Sequence, residues 1–149
     1  MLRVVKWYPD QVAGKWEAIG PAIESALPPI ASGREDRLDK VLESILCGRL
    51  VVYAVVESDG ESKAQLYGIM TVAIIDLVDG TEKSLLIYSL YGYRKVTLEL
   101  VNEFLGLLKK IAVAEQCNSI SAYSSVQPLI ALCKSRGWNT DFTYIKLEV

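Results

Sequence analysis

The chain has 149 residues, a formal net charge of −2 and a pI of about 5.2, so it lacks the basic footprint of a nucleic-acid-binding protein. Hydrophobic residues make up 51% and the mean hydropathy is +0.24. That excludes a disordered chain and suggests a buried sheet, with a further face left for a partner. The longest apolar run, Leu50–Val56, falls far short of the ~20 residues of a membrane-crossing helix, and the first residues carry no secretory pattern.

Histidine is absent, which removes Ser-His-Asp and Cys-His catalysis and the commonest transition-metal ligand. Cys47, Cys117 and Cys133 are odd in number and form no CxxC pair. They fit a reduced, intracellular compartment and no metal site.

In chain order, Leu2–Lys6 reads as a first strand. Pro9-Asp10 opens a helix, with Asp10 as a cap and with Val12, Trp16, Ile19, Ile23 and Leu27 on one face. Pro21 should kink or split it, and Pro28-Pro29 ends it. Ser32-Gly33-Arg34-Glu35 matches a capping box for a second helix, whose buried stripe is Leu38, Val41, Leu42, Ile45 and Leu46 and whose C-cap is Gly48.

Three strands follow: residues 50–57, 65–77 and 83–91. Ser58-Asp59-Gly60 and Asp79-Gly80 are turn signals that predict antiparallel pairing. The period then changes. Val96, Leu100, Val101, Phe104, Leu107, Leu108, Ile111 and Ala112 form a helical stripe with Thr97 as its cap. Residues 118–123 are a short strand. Ser124-Ser125-Val126-Gln127 is a second capping-box pattern with Pro128 in the first turn, and the helix ends at Gly137. Residues 141–149 read as a last strand.

The order β-α-α-β-β-β-α-β-α-β over residues 1–149 predicts one α/β domain: a mixed sheet of about six strands with helices on both faces. This order resembles the GNAT superfamily of acyl-CoA N-acyltransferases. Locally, Leu85–Tyr91 running into a helix is similar to the family's fourth strand and cofactor-binding helix. Leu132-Cys133-Lys134-Ser135-Arg136-Gly137-Trp138 resembles its closing signature of leucine, tyrosine, three residues, glycine and phenylalanine.

The resemblance implies that pyrophosphate would sit on a helix N-terminus approached closely by small residues. If Arg94 opens that motif, Thr97 and Glu99 stand at its small-residue positions. Val126 and Cys133 stand where the family has a cofactor-contacting asparagine and a proton-donating tyrosine. The positions that build the fold match, and those that perform chemistry differ.

No catalytic residue is therefore assigned. Cys133 reads as a buried structural thiol. Tyr88, Tyr91, Tyr93, Tyr123 and Tyr144 are unselected acid candidates, and Asp76, Asp79 and Glu82 are equally well explained by turns. If the chain binds CoA, the resemblance points to Tyr91, Gly92, Arg94, Lys95, Val96 and Thr97.

Two functions follow. The first is a non-catalytic GNAT-like structural or interaction protein without a cofactor, engaged with a protein partner or with itself. Leu90-Tyr91-Gly92-Tyr93-Arg94, the loose alanine-to-cysteine joint ending at Cys117, and Gly137-Trp138 are similar to short GNAT-like proteins of tailed bacteriophages and prophages, which implies a virion-associated or morphogenesis role. The alternative is an N-acetyltransferase using acetyl-CoA through a divergent phosphate loop. The gap between the fourth and fifth strands decides between them, because Leu90, Tyr91, Tyr123 or Trp138 filling it would exclude a pantetheine arm.

Overall fold

The computed structural model describes residues 1–58 and 63–149. One sheet of five strands runs in the order β1 (Leu2–Trp7), β2 (Val51–Glu57), β3 (Gln65–Asp76), β4 (Lys83–Gly92) and β5 (Ser119–Ala122). The first four pair antiparallel and β5 joins β4 in parallel. The predicted hairpins β2–β3 and β3–β4 are present. At the second, Gly80 takes φ +71° and the Asp79 carboxylate accepts from the Thr81 N–H at 3.0 Å. The turn predicted at Ser58-Asp59-Gly60 falls partly outside the described residues.

Helices cover both faces. On one side lie α1 (Pro9–Gly14), α2 (Trp16–Ser25) and α3 (Arg37–Leu46). Val12, Ile19, Ile23, Val41 and Ile45 pack there against Val52, Ala54 and Ile69. On the other side α4 (Leu98–Ala114) lays Leu108, Ile111 and Ala112 on Tyr53, Met70, Val72 and Leu85. Each fully buried aliphatic side chain contributes ~1.5–3 kcal/mol of transfer free energy, so these two layers carry the fold.

Several local expectations are corrected. The first helix divides at Lys15, not at Pro21, which stays inside α2. Pro21 has no N–H for the carbonyl of Glu17. A break one turn earlier puts Glu17 in a first turn, where the chain can adjust. Tyr8, not Asp10, is the N-cap, and its N–H donates to Gln11 Oε1 at 2.9 Å.

Neither predicted capping box forms. Ser32 Oγ accepts from Arg34 N–H and Ser124 Oγ from Val126 N–H, each two residues on, and the helices begin later, after Asp36 and Val126. Short-range Ser turns compete with caps for the same hydroxyl. Leu46, placed in the buried stripe, is exposed. Thr97 does cap α4, accepting from Leu100 N–H at 3.3 Å, and Gly48 and Gly137 take positive φ just past their helices.

The predicted last strand does not form, which leaves five strands where about six are expected. Residues 141–149 are exposed throughout, with Phe142, Ile145 and Leu147 each more than 80% accessible. The Tyr144 ring meets Tyr123 edge-on at 5.7 Å, so the segment passes beside the end of β5 without building a ladder.

Two β-bulges shape the sheet. Between the pairs Val55↔Gly68 and Val56↔Leu66, Tyr67 is the extra residue on β3. Between Thr71↔Ser89 and Val72↔Ile87, Tyr88 is the extra residue on β4. The buried hydroxyls of Thr71 and Ser89, 2.6 Å apart, tie the strands beside the second bulge. Next to the first, a Cβ on Gly68 would meet the Tyr91 carbonyl oxygen at 2.7 Å. Gly68→Ala should therefore lower unfolding free energy by about 1–3 kcal/mol. Gly33→Ala, in open space, should stay within about ±0.5 kcal/mol. Urea midpoints of the two variants check this, and equal midpoints would refute the backbone-contact account.

Candidate functional site

The second bulge sits where the sheet opens. Parallel pairing of β4 with β5 ends at Ile87↔Ala122, and Tyr88 is the next residue. From Tyr88 to Gly92 the outer edge of β4 has no strand partner. An extra residue bends its strand and sharpens the local twist, which turns β4 away from β5. The outcome is a cleft of about 890 Å³ between the diverging strands, the first turns of α4, and α5 (Gln127–Ser135). That is within the usual size of small-molecule sites.

The cleft reaches both faces of the sheet. On the α4 side it is bounded by Phe104, Leu105 and Leu108, and on the α2 side by Ser25–Pro29 and Tyr88. Leu90, Tyr91, Tyr123 and Trp138 line this space; they do not fill it. The steric exclusion of a pantetheine arm, raised from the sequence, does not occur. A smaller cavity of about 400 Å³ lies among Lys6, Arg49, Tyr53 and Ile75, and none of the candidate site residues lines it.

The segment between β4 and α4 is fixed by Tyr67. Its hydroxyl donates to the Lys95 carbonyl at 2.6 Å, and its own carbonyl accepts from Tyr93 N–H at 2.9 Å. The residue that bulges β3 thus holds the loop that enters α4. Thr97 Oγ1 takes up the Leu100 N–H, leaving the other first-turn N–H groups of α4 facing outward at an exposed helix start.

Of the residues the sequence singles out, the structure brings Tyr91, Gly92, Val96 and Thr97 to the cleft. Arg94 and Lys95 are exposed and do not line it, and neither meets a carboxylate among the described residues. Glu99 is an exposed first-turn acid of α4. Val126 and Cys133 both line the cleft.

Cys133 is half-buried, less enclosed than the buried structural thiol expected, because α5 buries none of its residues completely. Burial still pushes its pKa up. Tyr88 and Tyr93 are also raised, first by burial. Asp79 is held down by hydrogen bonds from Thr81, as its turn role requires. Among the described residues no group of three or more His, Cys, Asp or Glu side chains is placed to hold a metal ion. Likewise, no helix among them is long and apolar enough to cross a membrane.

Sequence reading overlooks the far wall: Ser25, Leu27, Pro28 and Pro29 from the α2–α3 connection, and Arg136 after α5. The prolines read as a helix stop and Arg136 as part of a closing signature. The alternation of β4 carries no mark of the bulge that aims Tyr88 toward them.

No family model matches the chain, and no curated protein matches it in sequence. Solved structures do match it over nearly its full length. A putative acetyltransferase from Pyrococcus furiosus superposes with a TM-score of 0.69 at 13% identity, covering 100% of both chains. An aminoglycoside acetyltransferase from an uncultured soil metagenomic sample gives 0.67 at 16% identity, covering 100% of this chain and 99% of that one. A predicted acetyltransferase with acetyl-CoA from Clostridium acetobutylicum gives 0.64 at 13% identity, covering 99% and 96%. The fold is that of the GNAT acetyltransferases, as the order of elements implies.

The three thiols offer a check on the cleft geometry. Cys47 is exposed, whereas burial raises both Cys117 and Cys133. Because the thiolate is the reactive form, iodoacetamide at pH 8 should label Cys47 first and the other two several-fold more slowly, as followed by peptide mass spectrometry. Cys133 labelling as fast as Cys47 would contradict the packing described for α5.

Proposed function

We propose that the protein is an acyl-CoA-dependent N-acyltransferase with a divergent phosphate loop. The observation that carries this reading is the open cleft at the β4–β5 divergence, bounded by the N-terminal turns of α4. The likeness to acetyltransferases, one of them determined with acetyl-CoA, supports it over the non-catalytic alternative. The resemblance to phage proteins, with its virion role, draws no support from these neighbours.

The residues present fit the donor. The unpaired backbone edge of Tyr88–Gly92 offers N–H and C=O groups to an amide-bearing arm, which would add to the sheet as a strand does. The start of α4 presents N–H groups and the positive end of the helix dipole to pyrophosphate, without a glycine. Arg94 and Lys95 stand beside it as cations for the outer phosphates, with no carboxylate partner among the described residues. Tyr91, Gly92, Val96 and Thr97 would form the wall between arm and phosphates. Glu99 opposes phosphate binding from the same turn, which makes the donor affinity modest.

Bound acyl-CoA supplies an activated thioester. The protein's part is to orient it along β4, exclude water with the apolar walls of the cleft, and bring a nucleophile from the Ser25–Pro29 side. Among the described residues the lining holds no carboxylate to serve as base. Cys133, with its raised pKa, stays protonated at neutral pH, and Tyr88 and Tyr123 also line the cleft. Each is an acid for the departing thiolate. Rate enhancement then rests on positioning, with proton transfer to sulfur as a secondary contribution.

Thermal-shift titration tests the reading. CoA at about 100 times its dissociation constant should add about 2.7 kcal/mol to stability. Replacing both Arg94 and Lys95 with Ala should weaken CoA binding about tenfold while leaving the unliganded melting temperature unchanged. No shift at millimolar CoA or acetyl-CoA would overturn the proposal and restore the non-catalytic reading.

A further inference from the structure

The charge inventory of the cleft narrows its acceptor, granted that the cleft binds acyl-CoA. Its lining is apolar or hydroxyl-bearing, and Arg136 is the charged side chain among the described residues that form it. Arg136 donates to the Asn102 side chain and has no carboxylate partner among the described residues, so the described lining carries one positive charge and no negative one. An acceptor entering as a polycation would lose its hydration shell and meet no compensating charge.

The chemistry points the same way. Only a neutral amine attacks a thioester, and an alkylamine with a pKa of about 10.4 is neutral in roughly one molecule in 2,500 at pH 7. Such an acceptor needs a base to take its proton, and among the described residues no carboxylate lines the cleft to provide one. A weakly basic amine needs no base before it attacks, because it is already neutral, and the proton it loses afterwards goes to the departing sulfur. The walls add a shape preference: Tyr67, Tyr88, Tyr91, Phe104, Tyr123 and Trp138 all border the space. Aromatic side chains favour an aromatic guest by about 0.5–1.5 kcal/mol per stacked or edge-on pair beyond area burial.

We infer that the acceptor is a weakly basic aromatic amine, acylated on nitrogen, and not a polyamine or other polycation. In the step, the amine nitrogen forms a bond to the acyl carbon and the carbon–sulfur bond breaks. One proton leaves nitrogen and one is gained by the departing sulfur, so an arylamide and free CoA result with no other reactant.

The test uses the purified full chain with acetyl-CoA, following product by liquid chromatography and mass spectrometry. Acceptors are 4-methoxyaniline, spermidine and a polycationic aminoglycoside, with CoA binding measured separately by thermal shift. The expected result is a kcat/KM for 4-methoxyaniline at least tenfold above those of both polycations. Leu129→Asp, which places a carboxylate on the α5 wall, should shift the ratio toward spermidine. Equal or greater use of either polycation by the unaltered protein overturns the inference. So does CoA binding without acetylation of the arylamine, which leaves the donor-site reading standing. Failure to bind CoA removes both readings, and the thermal-shift arm identifies that case.

Discussion

The structure turns on one misfit residue. Tyr88 is the surplus position between the pairs Thr71↔Ser89 and Val72↔Ile87, and it directly follows the last residue of β4 that β5 pairs with. A sheet without that bulge would continue its parallel ladder and close over the cleft. With it, β4 keeps its partner β3 through Gly68↔Gly92 and loses its partner β5. The β5-facing edge of Tyr88–Gly92 is thereby left without a strand partner. Such an edge is normally covered or charged. Here the hydroxyl pair of Thr71 and Ser89 and the apolar layers on both faces hold the geometry in place.

The other bulge, at Tyr67, makes the one at Tyr88 useful. Tyr67 reaches from β3 to the loop that leaves β4, and its contacts with Lys95 and Tyr93 set where α4 begins. The helix start and the open strand edge therefore share one rigid support. In members of this fold that use the usual small-residue motif, glycine allows close approach to phosphate. Here Thr97 caps the helix with its own side chain, and the neighbouring cations lie outside the cleft. The loop is built from the same parts, more tightly self-satisfied.

Much of the architecture is legible in the sequence because it follows from period and punctuation. Apolar runs between turn signals mark β2, β3 and β4, which pack against helices on both faces, and the stripe from Leu100 to Ala112 marks α4, which packs against one. What misleads is local competition. Ser32 and Ser124 use their hydroxyls in two-residue turns that a capping pattern does not distinguish. Residues 141–149 alternate like a strand yet stand beside β5 unpaired. The site is half legible: Tyr91, Gly92, Val96 and Thr97 are found because the loop-to-helix transition is sequence-local. Tyr88, Arg136 and the Ser25–Pro29 wall reach the cleft through long-range register, which no short motif encodes.

The departures from the family pattern weigh differently once they are placed in space. Thr97, Val126 and Cys133 differ from the residues expected there, yet all three line a cleft that stays open. A fold that had lost its ligand would be free to fill this space with larger side chains, since burying each added apolar Å² contributes about 25 cal/mol. Instead α5 leaves its apolar side half-exposed toward β4, with Leu129, Leu132 and Cys133 bordering the opening. An empty apolar cleft costs the free protein stability, and that cost is recovered when an apolar guest enters. Val126 and Cys133 stand where the resemblance implies an asparagine and a tyrosine, and the void remains beside them.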